Sequence, residues 1–580
     1  MRVKPLLAVL LCSALALPPG GYAQPRADAP PLETAPADIG VGAALPGLAD
    51  AWSTLPSGIA AGVFGKYGGA QSRLSDTSDA PTRSSDATPN WRAPLRALQL
   101  PDLGDGSGGA LTPRAERRLG ERVMRDVRRD PDYLDDWLVR DYLNSVAAKL
   151  SAAATAQFIG GYVPDFDLFA MRDPQINAFS LPGGFIGINS GLVATTQTES
   201  ELASVIGHEM GHVLQRHIAR MIGANEKTGY ATLATMLFGL LAGILARSGD
   251  LGSAIAMGGQ AFAIDNQLRF SRSAEREADR VGFQLLAGAG YDPYGMPGFF
   301  ERLDRASTGG DAGVPPYART HPLTGERIAD MDDRARRAPY RQPRQSPEYG
   351  FVRARLRILQ NRSLTDYANE VRRMRSEIDD RIAPNVAANW YGIALGETLG
   401  GRYDEASRAL AAARAALARA AAREAGGPPD SPSLDVLAVQ IMRLSGRADD
   451  AVRLAAAAHK RWPGSHAAIA AHLQALLAAR RYADAQTLAQ AETRADPGQP
   501  DWWNYLAQAS LGKGDALMQR RALAEKFALD GAWPSAIRQL REARDNKSAG
   551  FYEQSIISAR LHEFEARYKE EQEDDKDKRG

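Results

Sequence analysis

Five residues near the first third of the chain, His208-Glu209-Met210-Gly211-His212, combine residue types and spacing that can do chemistry. On an α-helix, positions four apart share a face, because four steps of about 100° come to about 400°. Two imidazoles so placed form a clamp for one zinc ion. Glu209 sits next to the first of them, where its carboxylate can take a proton from an attacking water. The five-residue pattern alone is weak, since it arises by chance in long helices. Its flanks strengthen it. Leu202, Val205, Ile206, Val213 and Leu214 form an apolar stripe, so a helix over about 198–221 reads as largely buried, and buried imidazoles and carboxylates need partners.

A second helix, opening near Ser271 or Ser273, offers those partners. Glu275 and Asp279 are four apart on it and share a face. One carboxylate can serve the metal and the other the second ring nitrogen of a ligand histidine. Without the upstream histidines the same spacing reads as an ordinary charged surface helix. Glu277 lies about 200° round from Glu275 and is expected to face solvent or arginine neighbours. His217, nine residues past His208, falls half a turn away on a continuous helix and is expected to face away from the metal. His321 stands after a loop rich in Gly and Pro, in Arg319-Thr-His-Pro-Leu-Thr-Gly-Glu-Arg327. It caps a helix start, or it reaches the metal site. There it would stabilise the transition-state oxyanion or fill the open coordination position as a removable plug. His459, His466, His472 and His562 have no spacing that makes a site.

The elements that position these residues begin near Leu111, with Thr112 and Pro113 as helix-start signals. Helical periodicity covers 114–128 and 132–154, and Phe166–Met171 alternates as a strand. Residues 177–192 read as a hairpin around Pro182-Gly183-Gly184. Residues 228–264 hold two apolar runs separated by Arg247-Ser-Gly-Asp250. A single membrane crossing here would part His208 and His212 from Glu275, so a helical hairpin is expected. It is a lid or core element, or it dips into a membrane as a peripheral contact.

A chain of 580 residues exceeds one core. Its formal net charge of +1 carries no basic signature, which argues against nucleic acid as a partner. Residues 1–23 have a charged start, an apolar Leu6–Leu17 run and a small-residue Gly21-Tyr-Ala23 end, the pattern of a cleavable secretory signal. The single cysteine, Cys12, lies inside it, so the exported chain is expected to hold no disulfide. Residues 24–110 are rich in Pro, Gly, Ser and Asp and read as a disordered linker. After an Arg/Pro-rich break at 336–347, one turn-plus-helix-start recurs at Gly401–Ala406, Gly446–Ala451, Ala479–Ala485 and Gly531–Ala536. Ala451 and Ala485 are 34 residues apart, the tetratricopeptide period. Such helix pairs stack into a superhelix with a concave binding face. Residues 568–580 form a charged tail.

The pieces Asn177-Ala-Phe…Pro182-Gly-Gly, Glu201-Leu-Ala…His208-Glu-Met-Gly-His212, Phe270-Ser-Arg…Glu275-Arg-Glu-Ala-Asp279 and Thr320-His321-Pro322 come in the order of the gluzincin metallopeptidases that include HtpX and the CAAX prenyl endopeptidases. The signal, soluble catalytic unit and repeat tail together resemble the periplasmic branch of β-barrel assembly-enhancing proteases. The resemblance implies a mainly α protein: a zincin-type α+β metallopeptidase domain with a small sheet over 111–345, then an all-α tetratricopeptide-repeat superhelix over 346–567. It implies one zinc ion per chain on His208, His212 and Glu275, with Glu209 as general base and Asp279 orienting a ligand histidine. It implies that the Phe185–Asn189 strand lies along the cleft and pairs with an extended substrate. The expected clients are misassembled or unfolded outer-membrane β-barrel proteins, and the expected partner of the repeats is the β-barrel assembly machinery. Two other readings stand beside it: a chaperone or scaffold whose peptidase is normally silenced, and a membrane-associated peptidase acting on membrane proteins.

Overall fold

The computed structural model describes residues 112–157, 164–223, 271–308, 314–423 (342 and 344 excepted), 430–546 and 549–577. The signal over 1–23, the linker over 24–110 and the apolar hairpin over 228–264 lie outside the described residues. All described residues belong to one compact unit.

Helix α1, Pro113–Val127, starts where Thr112 accepts a hydrogen bond from the Ala115 amide. Strand β1, Tyr133–Leu134, leads to α2, Trp137–Ala156, capped by Asp136. Then come β2, Asp167–Met171, β3, Ala178–Ser180, and β4, Phe185–Asn189. A single helical turn, Pro182–Gly184, joins the last two. Gly183 and Gly184 have φ of 79° and 92°, and a Cβ on them would lie 2.6 Å from Arg117 Cα and 2.7 Å from Asp165 O. Only glycine fits there.

The sheet order is β1-β2-β4-β3, with β2 and β4 parallel and both outer pairs antiparallel. β4 is therefore central, hydrogen-bonded on both edges and buried at every residue. This corrects the expectation that Phe185–Asn189 pairs with substrate, because it has no free edge. Among the described residues the two edge strands are β1 and β3. Asn177 O accepts from the Asn189 amide and the Leu181 amide donates to Phe185 O. The antiparallel alternation then turns the backbone N–H and C=O groups of Ala178 and Ser180 away from β4.

Short helix α3, Ser190–Thr195, leads into α4, Glu199–Leu214. α5 is His217–Gly223, and α6 is Arg272–Gly288. α4 and α6 cross with backbones almost touching. A Cβ on Gly211 would fall 2.8 Å from Ala278 O, and one on Gly282 would fall 2.8 Å from His208 N. The glycine inside the histidine motif thus sets how near α6 can come. α7, Gly295–Thr308, α8, Pro316–Thr320, and α9, Gly325–Arg337, complete the shell. One hydrophobic core joins the inner sheet residues Leu168, Ile186 and Ile188 to Leu202, Ile206 and Met210 of α4 and to Leu285 and Leu286 of α6.

The remaining described residues after α9 form helices without strands. α10, Pro347–Leu359, sends Tyr349, Val352 and Leu356 into that same core, and the Tyr349 hydroxyl donates to Thr196 O at 2.8 Å. α11 is Leu364–Asp379. Helix pairs follow: α12, Val386–Leu399, and α13, Tyr403–Arg423; α14, Pro432–Leu444, and α15, Ala448–Arg461; α16, His466–Ala478, and α17, Tyr482–Ala495; α18, Pro500–Lys513, and α19, Ala516–Leu529; α20, Trp533–Arg544, and α21, Phe551–Asp577. The recurring turns have left-handed residues at Gly401, Gly446, Arg480 and Gly531. The fold is mainly α: an α+β unit with a small sheet, followed by helical repeats. Residues 568–577 continue α21, where Glu571 pairs with Arg125 of α1 at 2.6 Å and accepts from the Trp533 indole.

Candidate metal centre

α4 starts at Thr198, whose hydroxyl accepts from the Glu201 amide at 3.1 Å. Nearly all of the helix is buried, including His208, Glu209 and His212. His208 Nε2 and His212 Nε2 lie 3.0 Å apart, converging on one point as their spacing requires. The close crossing of α6 brings Glu275 to the same point, 3.5 Å from each histidine's Nε2. His321, the first residue after α8, arrives from a different direction. Its Nδ1 is 3.0 Å from Glu275 Oε1 and 3.4 Å from His208 Nε2. Ligand-type atoms of His208, His212, Glu275 and His321 all lie within 4.8 Å of one another, and all four residues are buried. The Tyr317 ring packs on His321 with centroids 4.7 Å apart, and the Tyr317 amide donates to Ile176 O at 3.2 Å, tying this arm to the approach of β3.

The far sides of the histidines are held too. His208 Nδ1 is 2.9 Å from Asp279 Oδ1. Asp279 in turn receives the Arg327 guanidinium at 2.6 and 2.8 Å. The same Arg327, on α9, reaches Glu275 Oε2 at 2.9 Å. Burial opposes charge throughout this cluster, yet the partners prevail at three positions. Bonds from Asp279 and Glu275 raise His208 to about 9 against the burial that would lower it. Glu275 is held well below the usual carboxylate range against its burial, by His321 and His208. Asp279 is lowered against its burial by Arg327 and His208. At His212 burial wins, and with the charge of His208 beside it the imidazole is kept neutral.

Glu209 differs from these groups. Both carboxylate oxygens are buried and accept no hydrogen bond among the described residues. The His321 Nε2 is 3.5 Å from its Oε1. A buried carboxylate left without donors is costly, and this one lies against the point where four ligand-type groups converge.

Two residues of the site are not where the helical reading puts them, or not in that reading at all. His217 was expected to face away. Instead α4 ends at Leu214, Arg216 takes φ of 51°, and a new helix starts. The break swings His217 back so that its Nδ1 lies 2.8 Å from His212 Nδ1. Glu277 does meet an arginine, Arg220 at 2.6 Å, but it also accepts from His217 Nε2 at 2.9 Å. Arg327 was unassigned. Its signal was its place with Met331 and Ala335 on the buried stripe of α9, where an arginine requires anionic partners.

A buried helix with two inward histidines four apart, a glutamate between them and a carboxylate from a later helix defines a metallopeptidase site. The family model of peptidase family M48 matches residues 140–335. The metalloprotease LoiP of Escherichia coli is 30% identical over 185 residues, covering 32% of this chain and 67% of that protein. The chain belongs to peptidase family M48. Beyond the peptidase unit, a β-barrel assembly-enhancing protease of Yersinia pestis is 29% identical over 471 residues, 80% of this chain and 91% of that protein. A Vibrio cholerae protein named for the same activity is 37% identical over 259 residues, and there the match spans about half, 52%, of the relative's length.

Proposed function

We propose that this protein is a zinc-dependent endopeptidase of the periplasm that hydrolyses misassembled or unfolded outer-membrane proteins, with its helical repeats as a tetratricopeptide-type surface for clients or the β-barrel assembly machinery. The observation that carries the reaction class is the convergence of His208, His212, Glu275 and His321 within 4.8 Å beside the carboxylate of Glu209, which accepts no hydrogen bond among the described residues. The setting rests on the names of the relatives from Yersinia and Vibrio.

The donor set fits zinc. Imidazole and carboxylate are its usual ligands, and the two Nε2 atoms 3.0 Å apart match two ligands at about 2.0–2.1 Å from one ion. His208, His212 and Glu275 would hold it. When bound, zinc acidifies water and polarises a carbonyl. Asp279 fixes the His208 ring with its Nδ1 as donor, leaving Nε2 for the metal. Glu209 takes the proton of the attacking water and passes it to the leaving amine. An extended client lies antiparallel to the open edge of β3, where the backbone of Ala178 and Ser180 can pair with it.

His321 gives this reading its second part. Its place among the ligand-type groups favours a removable fourth ligand over an oxyanion stabiliser. Seated there, His321 would hold the place that substrate needs at a bound metal and keep the peptidase silent, and the scaffold reading would describe that resting state. The test is Glu209→Gln in the full chain with an unfolded outer-membrane protein as substrate. Hydrolysis is expected to fall by about 10²–10⁴-fold with one zinc retained per chain. Turnover equal to the parent's would refute the assignment. Full cellular function of the variant would instead make the scaffold role the main one.

A further inference from the structure

The break between α4 and α5 builds a specific contact, and that contact accounts for how the second histidine of the motif is held. We infer that His217 is a positioning residue for the metal centre, fixing the His212 ring through a His212–His217–Glu277 chain that runs from the ligand cluster to the protein rim. The inference rests on the reading of His208, His212 and Glu275 as metal ligands.

The geometry determines the direction of each bond. His212 turns Nε2 to the cluster, 3.0 Å from His208 Nε2, so its ring proton belongs on Nδ1. That N–H points at His217 Nδ1, 2.8 Å away, which must accept. The His217 proton is then on Nε2 and donates to Glu277 Oε2 at 2.9 Å. Arg220 donates to the same Glu277 oxygen at 2.6 Å. One tautomer satisfies every group in the chain. Exposure rises outward along it, from 0% for the His212 side chain to 2% for His217, 20% for Glu277 and 47% for Arg220.

The chain parallels the one behind His208 and differs from it chemically. His208 is backed directly by a carboxylate, itself clamped by Arg327. His212 is backed by a neutral imidazole, with the carboxylate one ring further out. A ligand oriented by imidazole is a weaker electron donor than one oriented by carboxylate. The two histidines are thus fixed equally in space and unequally in basicity. The backbone is bent to allow this: Arg216 adopts a left-handed φ of 51°, which a non-glycine residue rarely takes, and its guanidinium is tied to Glu116 of α1 at 3.2 Å.

The test measures zinc affinity of the full chain by competition with a chromophoric chelator, and the visible absorption of the cobalt-substituted protein. His217→Phe keeps the ring volume and removes the acceptor; His217→Asn places a carbonyl oxygen where Nδ1 was. His217→Phe is expected to weaken zinc about 10–100-fold and to shift the cobalt bands. His217→Asn is expected to recover most of the affinity, although it packs less well. Glu277→Gln, at the rim where folding is not at stake, is expected to lose a few-fold. Parent affinity and spectrum in His217→Phe, or equal impairment of the Phe and Asn variants, would overturn the inference, since a packing role predicts that order reversed. His208→Ala is the control. Parent protein that binds no zinc, or a His208→Ala variant that binds it as tightly, overturns the metal-site reading itself and this inference with it.

Discussion

Trp137 of α2 and Trp502 of α18 stack with centroids 5.1 Å apart and planes 5° from parallel, joining the peptidase unit to the repeats. Trp502 is 1% exposed and sits among Ile469, Leu473 and Leu506. Beside the stack, Asp141 of α2 accepts from Ser465, from His466 and from the Ala467 amide, so a peptidase residue caps a repeat helix. Arg355 binds Asp136 in a buried pair at 2.6 Å. The two parts therefore share an interior, and the peptidase unit is expected to unfold together with the repeats. Trp502→Ala is expected to cost about 3–5 kcal/mol and to split a single calorimetric transition into two. One undivided transition at the parent temperature would contradict this.

Arg327 neutralises two buried carboxylates at once, Asp279 and Glu275. Its replacement by methionine keeps length and apolar packing but removes the guanidinium from both carboxylates, leaving Asp279 only His208 and Glu275 only its histidine neighbours among the described residues. The expected loss is about 3–5 kcal/mol in chemical denaturation. Zinc should replace part of the missing positive charge. Stripping metal with a chelator is therefore expected to destabilise Arg327→Met more than it destabilises the parent, and equal sensitivity would count against the cluster as described.

His321 lies 3.4 Å from His208 Nε2 and 3.0 Å from Glu275 Oε1. If it seals the site at rest, His321→Ala is expected to raise basal turnover of an unfolded substrate several-fold while leaving one zinc per chain. A drop in turnover with metal retained would instead assign it to oxyanion stabilisation.

Glu348 at the start of α10 is enclosed by α14, and the hydroxyls of Ser431 and Ser433 donate to its carboxylate. Burial pushes its pKa up to about 7, outweighing those two bonds. The folded state therefore keeps the proton more tightly than the unfolded chain does. Its stabilising effect is complete below the unfolded value of about 4.5 and fades as pH rises through 7. Glu348→Gln, neutral at all pH, is expected to match the parent near pH 4 and to exceed it by about 3 kcal/mol at pH 8. A stability difference that does not change with pH would remove Glu348 as the cause.

The legible parts of the site were local. His208 and His212 needed only one turn of helix, and Glu275 with Asp279 needed another; both pairs were readable without knowing how α4 and α6 cross. His217 departs from the continuous-helix expectation because the chain turns at Arg216, a residue with no glycine-like signal for its left-handed φ. Arg480 hides a repeat turn in the same way, where Gly401, Gly446 and Gly531 mark the others openly. The central place of β4 was missed because alternation says nothing of neighbours. Its run Phe185-Ile-Gly-Ile was the available sign, since a strand covered on both faces reads as continuously apolar. Arg327 was legible only as an anomaly, because its partners come from α6, some fifty residues earlier.

The open edge of β3 is three residues long. A client strand lying there gains very few backbone bonds, too few to hold it for long. On the proposed function, contacts elsewhere on the molecule would then set how long a client stays near Glu209, and this short edge would set only its alignment.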